Sequence, residues 1–102
     1  MPDTPVFLPE ARQDIADAFS WYEEQAFGLG MDFLRCVEAA ILLLERHPCI
    51  YPIAHANYRR ALVRRFPYAI FFEHEAGKIV IYAVFHCSQN PGKWRQRLSK
   101  RV

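Results

Sequence analysis

The 102 residues, 12.0 kDa, leave room for one domain and none for a second core or a separate cofactor-binding module. With 52% hydrophobic, 15% aromatic and 24% charged residues, the chain has enough apolar material to pack a core, which excludes disorder along its length. The net charge of +2 conceals an asymmetry: residues 1–51 carry three basic against nine acidic side chains (−6), and residues 52–102 carry ten basic against two acidic ones (+8). A basic face able to meet phosphate or an acidic protein is expected, with the acids pairing internally or solvating helices.

No apolar run reaches the roughly 20 residues that span a bilayer. Met1-Pro2-Asp3-Thr4-Pro5 has neither the basic nor the apolar part of a secretory signal, so a soluble, cytoplasmic protein is expected, with no membrane partner. Cys36, Cys49 and Cys87 are odd in number and widely spaced, without a Cys-x-x-Cys pattern. They read as reduced packing groups, and neither metal nor cofactor is expected. At this size, a partner or homodimer that covers residual apolar surface is expected to help.

Val6-Phe7-Leu8 predicts a short strand, and Pro9-Glu10 the opening of a helix, because proline fits the first helical position. Ala11, Ile15, Ala18, Tyr22 and Ala26 recur at helical spacing and predict its buried stripe, with Glu10, Asp14 and Asp17 on an ordinary solvated face. Gly28-Leu29-Gly30 breaks the pattern, since glycine accepts the left-handed conformation that ends helices. A second helix from near Met31 buries Phe33, Val37, Ala40, Ile41 and Leu44 and stops at His47-Pro48, because the residue before proline avoids the helical region. The short connection predicts an antiparallel helical hairpin.

Cys49 to Asn57, with Pro48 and Pro52 about it, reads as a loop. Three strands follow: Tyr58 to Arg65, Tyr68 to Glu73 and the uninterrupted apolar run Ile79 to Phe85. Glu75-Ala76-Gly77-Lys78 predicts a hairpin turn between the last two, and the apolar run predicts a central strand covered on both faces. Pro91 opens a basic tail in which Trp94 and Leu98 stand one helical turn apart. The expected class is α+β: an N-terminal strand and helical hairpin on one face of a small, mainly antiparallel sheet, then a short C-terminal helix.

In this order the residues resemble the RelE/ParE superfamily of toxins from bacterial type II toxin–antitoxin systems, the plasmid-stabilisation type. The resemblance runs through Phe7-Leu8-Pro9-Glu10-Ala11, Trp21-Tyr22-Glu23-Glu24-Gln25 with Gly28-Leu29-Gly30, His47-Pro48, Arg59 to Tyr68, Ala83-Val84-Phe85-His86 and Asn90-Pro91 with Trp94. It implies a toxin over residues 1–102, growth-arresting when free and neutralised by a cognate antitoxin whose flexible segment folds across its surface.

The resemblance implies one of two targets. RelE-like members cut messenger RNA on the ribosome with basic strand residues and a C-terminal tyrosine or histidine, whereas ParE-like members poison DNA gyrase. The RelE-like pattern is poorly matched: Ala69 follows the strand tyrosine where an arginine is implied, Cys87 lies where a basic residue is implied, and Trp94 takes the place of the C-terminal tyrosine. An indole is no proton-transferring base. Gyrase inhibition is therefore the leading expectation, with a metal-independent endoribonuclease or a non-toxic captive binding module as alternatives.

If it is a nuclease, His86 is the candidate base or acid, with Arg60, Arg65 and Arg95 as candidate cations. Otherwise His86 reads as a strand-end histidine that fixes the following turn. Arg59, Arg60, Arg64 and Arg65 read as a set across one strand, available to the target, to the antitoxin or to the helix acids. Trp94 and Arg95 join them as candidate binding residues. Trp21 and Trp94 read more readily as packing groups than as stacking platforms, and Lys93, Arg95, Arg97, Lys100 and Arg101 as mobile solvating charge.

Overall fold

A computed structural model describes residues 5–88 and 91–99. Asn90, Lys100 and Arg101 lie outside the described residues, as does the side chain of Trp94. The chain runs β1 (Val6–Phe7), α1 (Pro9–Gln25), α2 (Leu29–Arg46), a 3-10 turn (Pro48–Ile50), β2 (Ile53–His55), β3 (Tyr58–Leu62), β4 (Tyr68–Glu75), β5 (Lys78–His86) and α3 (Pro91–Ser99). The sheet order is β1-β5-β4-β3-β2, with β1 parallel to β5 and every other pair antiparallel.

Pro9 occupies the first turn of α1, where a missing N–H costs nothing. The buried stripe holds at Ala11, Ala18 and Tyr22, with Ile15 packed against the core, but Ala26 lies past the helix end and is exposed. Gly28 has φ +86, and α2 starts at Leu29, so Gly30 is helical and not part of the break. Both Gly28 and Gly30 donate backbone N–H groups to the Glu23 carboxylate, each at 2.9 Å. An acid of the first helix thereby caps the N-terminus of the second.

The loop expected after Cys49 contains a short edge strand, β2, held by pairing with β3 at Arg59 and Tyr58. The strand expected from Tyr58 to Arg65 ends at Leu62. Beyond it Val63 donates to the Tyr68 carbonyl, and both Val63 and Phe66 turn into the core. Phe66 packs edge-on to Tyr22 and Phe33, with ring centroids 4.9 and 5.4 Å apart. That double anchor displaces Arg64 and Arg65 together to the surface.

β4, not β5, takes the middle of the sheet, although β5 is interior and covered on both faces as its apolar run implies. In regular alternation Ile79, Ile81, Ala83 and Phe85 would share one face. Phe71 opposes Ala83 while Phe72 opposes Ile81, which leaves Tyr82 as an extra residue on β5, a β-bulge. The faces therefore exchange: Ile79, Ile81 and Val84 join the core under α1 and α2, whereas Ala83 and Phe85 join Tyr58, Ala69 and Phe71 on the opposite side. Leu98 of α3, 1% exposed, covers this second cluster. The Tyr58 hydroxyl donates to the Leu98 carbonyl at 3.2 Å.

A Cβ added at Gly30 would lie 2.8 Å from the Phe19 ring and 2.9 Å from the Phe19 carbonyl oxygen. The backbone oxygen cannot rotate away, so the clash outweighs the roughly 1 kcal/mol that alanine gains over glycine in a helix. Gly30→Ala should destabilise the fold by about 1–2 kcal/mol net and lower Tm by several degrees in a thermal melt.

Candidate functional site

The four clustered arginines separate. Arg59 donates to the Tyr51 carbonyl at 2.7 Å and tethers the segment before β2, a structural role. Arg60, exposed on the opposite face, lines a shallow depression with Ala69, Phe71, Phe85, His86 and Cys87. Arg64 and Arg65 lie beside α2, with Arg65 stacked over Phe66 and 3.9 Å from Asp32. Of the expected nuclease cations, Arg60 approaches His86, while Arg65 belongs to another surface. Arg95 is exposed on α3.

His86 ends β5 and packs edge-on against Tyr68, ring centroids 5.2 Å apart. Its Nδ1 accepts the Ser88 backbone N–H at 3.0 Å, with the Ser88 hydroxyl 2.7 Å away. The ring thus fixes the turn that follows the strand. Beside it opens a cleft of about 300 Å³, walled by Asp17, Ala18 and Trp21 of α1, Tyr68 of β4, His86 of β5 and Arg97 of α3. Trp21, 55% exposed, packs edge-on against Tyr22 with ring centroids 5.1 Å apart and presents its other side as a wall of this cleft. Burial pushes the Tyr68 phenol above its ordinary value, and the charges of Tyr22 and Asp14 add to the shift. Tyr68 is accordingly a neutral hydrogen-bonding group at physiological pH.

Asp14 is not on a solvated face, nor is Arg97 mobile charge. Arg97 Nη1 and Nη2 donate to Asp14 Oδ1 and Oδ2, each at 2.8 Å, and Oδ2 also accepts the Val84 N–H at 3.0 Å. Arg97 further lies 3.4 Å from the Tyr82 carbonyl and covers the Phe85 ring. Past Ile81, the last residue paired with β1, the open edge of β5 is thus satisfied by two side chains in place of a strand. Cys36 is half-buried, but Cys49 and Cys87 are exposed and are not packing groups. Among the described residues no three His, Cys, Asp or Glu side chains gather to hold a metal ion, and no helix is long and apolar enough to cross a membrane.

Residues 6–91 match the family model for the ParE toxin of type II toxin-antitoxin system, parDE. The chain belongs to the ParE toxin family. A solved structure of the chromosomal ParDE TA system from P. aeruginosa has the same fold, with a TM-score of 0.69 at 12% identity over 83% of this chain and 96% of that one. Comparison with the curated proteins gives no match. The ParE match contains Asp14, Trp21, Tyr68 and His86, whereas Arg97 lies beyond it.

Sequence reasoning missed the Asp14–Arg97 pair and the cleft wall. One signal was present: Asp14 follows Ala11 by three residues and precedes Ala18 by four, which places it on the flank of the buried stripe. Asp14→Ala should cost roughly 3 kcal/mol, because it orphans both Arg97 and the Val84 N–H. Asp14→Asn, which keeps an acceptor for Val84, should cost less. Urea midpoints for the single variants and the Asp14→Ala, Arg97→Ala double variant should show a coupling of about 1–3 kcal/mol.

Tyr22, Tyr58, Tyr68 and Tyr82 all have phenol pKa values raised, chiefly by burial, above an ordinary 10.0. The unfolded chain releases these protons first, so their stabilising effect is complete below pH 10.0 and is lost as pH rises through the folded-state values. Urea midpoints should hold up to about pH 9 and fall above about pH 10, with a shallower fall in Tyr68→Phe.

Proposed function

We propose that this ParE-family protein is silent when a cognate antitoxin covers it, arrests growth when free, and acts by binding DNA gyrase and not by cutting RNA. The observation that carries this reading is the bidentate Arg97–Asp14 pair. Cleavage of RNA without metal needs a base at the 2′-hydroxyl, a cation at the phosphorane and an acid at the leaving oxygen. Arg97, which borders the His86 cleft, is neutralised by Asp14, the Nδ1 of His86 is engaged by Ser88, and Arg65 lies on another surface. Ala69 on β4 adds no charge.

A ribosome-dependent mRNA endoribonuclease is the second reading, favoured by the one shallow depression that Arg60 shares with His86. The two separate cleanly when the protein is induced without antitoxin and labelled thymidine and methionine are followed in one culture. Thymidine incorporation should fall first, and His86→Ala and Arg60→Ala should keep toxicity. Early collapse of methionine incorporation, abolished by His86→Ala, would favour the nuclease, since loss of a general base typically costs about 10²–10⁴ in rate. Unchanged growth on induction would favour a captive binding module.

A further inference from the structure

Asp14, Asp17 and Trp21 recur at helical spacing along one side of α1, and all three line the cleft of about 300 Å³ beside His86. A second hollow, of about 380 Å³, shares Trp21, Tyr68 and His86 with it and adds Tyr22 and Pro67, so the indole lines both. Tyr68 is half-buried on the sheet wall, and its raised pKa keeps the phenol neutral. The cleft holds two carboxylates against one guanidinium, and that guanidinium is already engaged: Arg97 lies bidentate on Asp14 and over the Phe85 ring. Asp17 remains. Its Oδ1 accepts the neutral Gln13 Nε2 at 2.7 Å, and among the described residues no cation pairs with it.

An exposed carboxylate one helical turn from an exposed indole answers a cation that also has an apolar face. A nucleotide would stack its base on Trp21 but would bring phosphate against Asp17, with Arg97 already neutralised. An ammonium group would pair with Asp17, yet it is a strongly hydrated point charge. A guanidinium is planar and more weakly hydrated, stacks on an indole and forks onto a carboxylate. His86 adds a wall and no grip, since its Nδ1 is engaged by Ser88.

We infer that the cleft between α1 and the end of β5 receives an arginine side chain of the protein target, its guanidinium stacked on Trp21 and paired with Asp17. This inference rests on the reading that the protein acts by binding gyrase, and it adds the pocket on this chain and the residue type the pocket takes from the partner.

Two measurements test it. In the first, isotopically labelled full chain is titrated with N-acetyl-arginine amide and followed at the Trp21 indole N–H, identified by its absence from Trp21→Phe. The arginine probe should shift that resonance saturably, and Asp17→Asn should weaken the response roughly fivefold, the upper range for an exposed ion pair. N-acetyl-citrulline amide, which has the planar shape without the charge, should not shift it. In the second, gyrase supercoiling is assayed with the full chain. Trp21→Ala should raise the half-inhibitory concentration about 30-fold, the scale of a central aromatic anchor, and Asp17→Asn about fivefold. Trp21→Phe, which retains a flat aromatic face, should lose much less. Glu24→Gln, the same charge change at an exposed position of α1 outside the cleft, should have no effect. Asp17→Asn keeps an acceptor for Gln13 at an exposed site, so the test stays decisive if Trp21→Ala fails to fold.

If wild-type protein inhibits gyrase and Trp21→Ala and Asp17→Asn match it, the cleft assignment is overturned and the gyrase reading survives. If wild-type protein leaves gyrase untouched, the gyrase reading fails, and the probe titration alone decides the cleft: a response to arginine that Asp17→Asn weakens sustains it, and no response overturns it. Equal responses to the arginine and citrulline probes, or a response to uridine monophosphate alone, also overturn the inference. Sedimentation that shows a dimer dissociated by Asp17→Asn assigns the arginine to a second copy of this chain and overturns it as well.

Discussion

The extra residue in β5 is the constraint on which the layers depend. An apolar strand with both faces shut off from water needs cover on both sides, and the bulge at Tyr82 divides its side chains between two cores. Ile79, Ile81 and Val84 require the helical hairpin; Ala83 and Phe85 require something on the far side, and Leu98 supplies it. A fully buried Ile, Leu or Phe contributes about 1.5–3 kcal/mol, which makes these apolar contacts the larger part of the stabilisation. The surface pair Arg65–Asp32, more exposed and 3.9 Å long, contributes at most about 1 kcal/mol.

Asp14 and Arg97 give the two cores a common boundary. They sit where the parallel pairing of β1 with β5 stops, and they satisfy backbone groups that a longer β1 would otherwise have paired. The opposed charges of the two halves of the chain meet here, and again at Asp32 and Arg65. Part of the asymmetry is therefore resolved internally. Beside α2, Arg35 and Arg65 share Asp32, and together with Arg64 they border the exposed Leu43 and Leu62.

Legibility followed the range of the interactions. The α2 stripe of Phe33, Val37, Ala40, Ile41 and Leu44 could be read because helical periodicity is local, and all five are buried. The hairpin at Ala76-Gly77 was equally local. β2 was not legible: Ile53-Ala54-His55 is three residues beside Pro52, and only its pairing with β3 makes it a strand. Arg64 and Arg65 looked like strand residues because the anchoring of Val63 and Phe66 depends on Tyr22 and Phe33 of the helical hairpin. At the site, His86 as a turn-fixing strand end could be read from its position. The Asp14–Arg97 pair spans 83 residues of sequence, and no local pattern announces it.

The parallel register of Val6 with Val80 places the first strand of the fold against its last. During synthesis β1 and α1 leave the ribosome with β5 still unmade, and Asp14 waits longer for Arg97. Pairings of such sequence separation close slowly, because loop entropy is lost before any contact compensates for it. The nascent chain therefore passes through a stage in which the hairpin of α1 and α2 exists with one apolar face uncovered. The helical hairpin must hold that face until β4 and β5 have been made and paired against it.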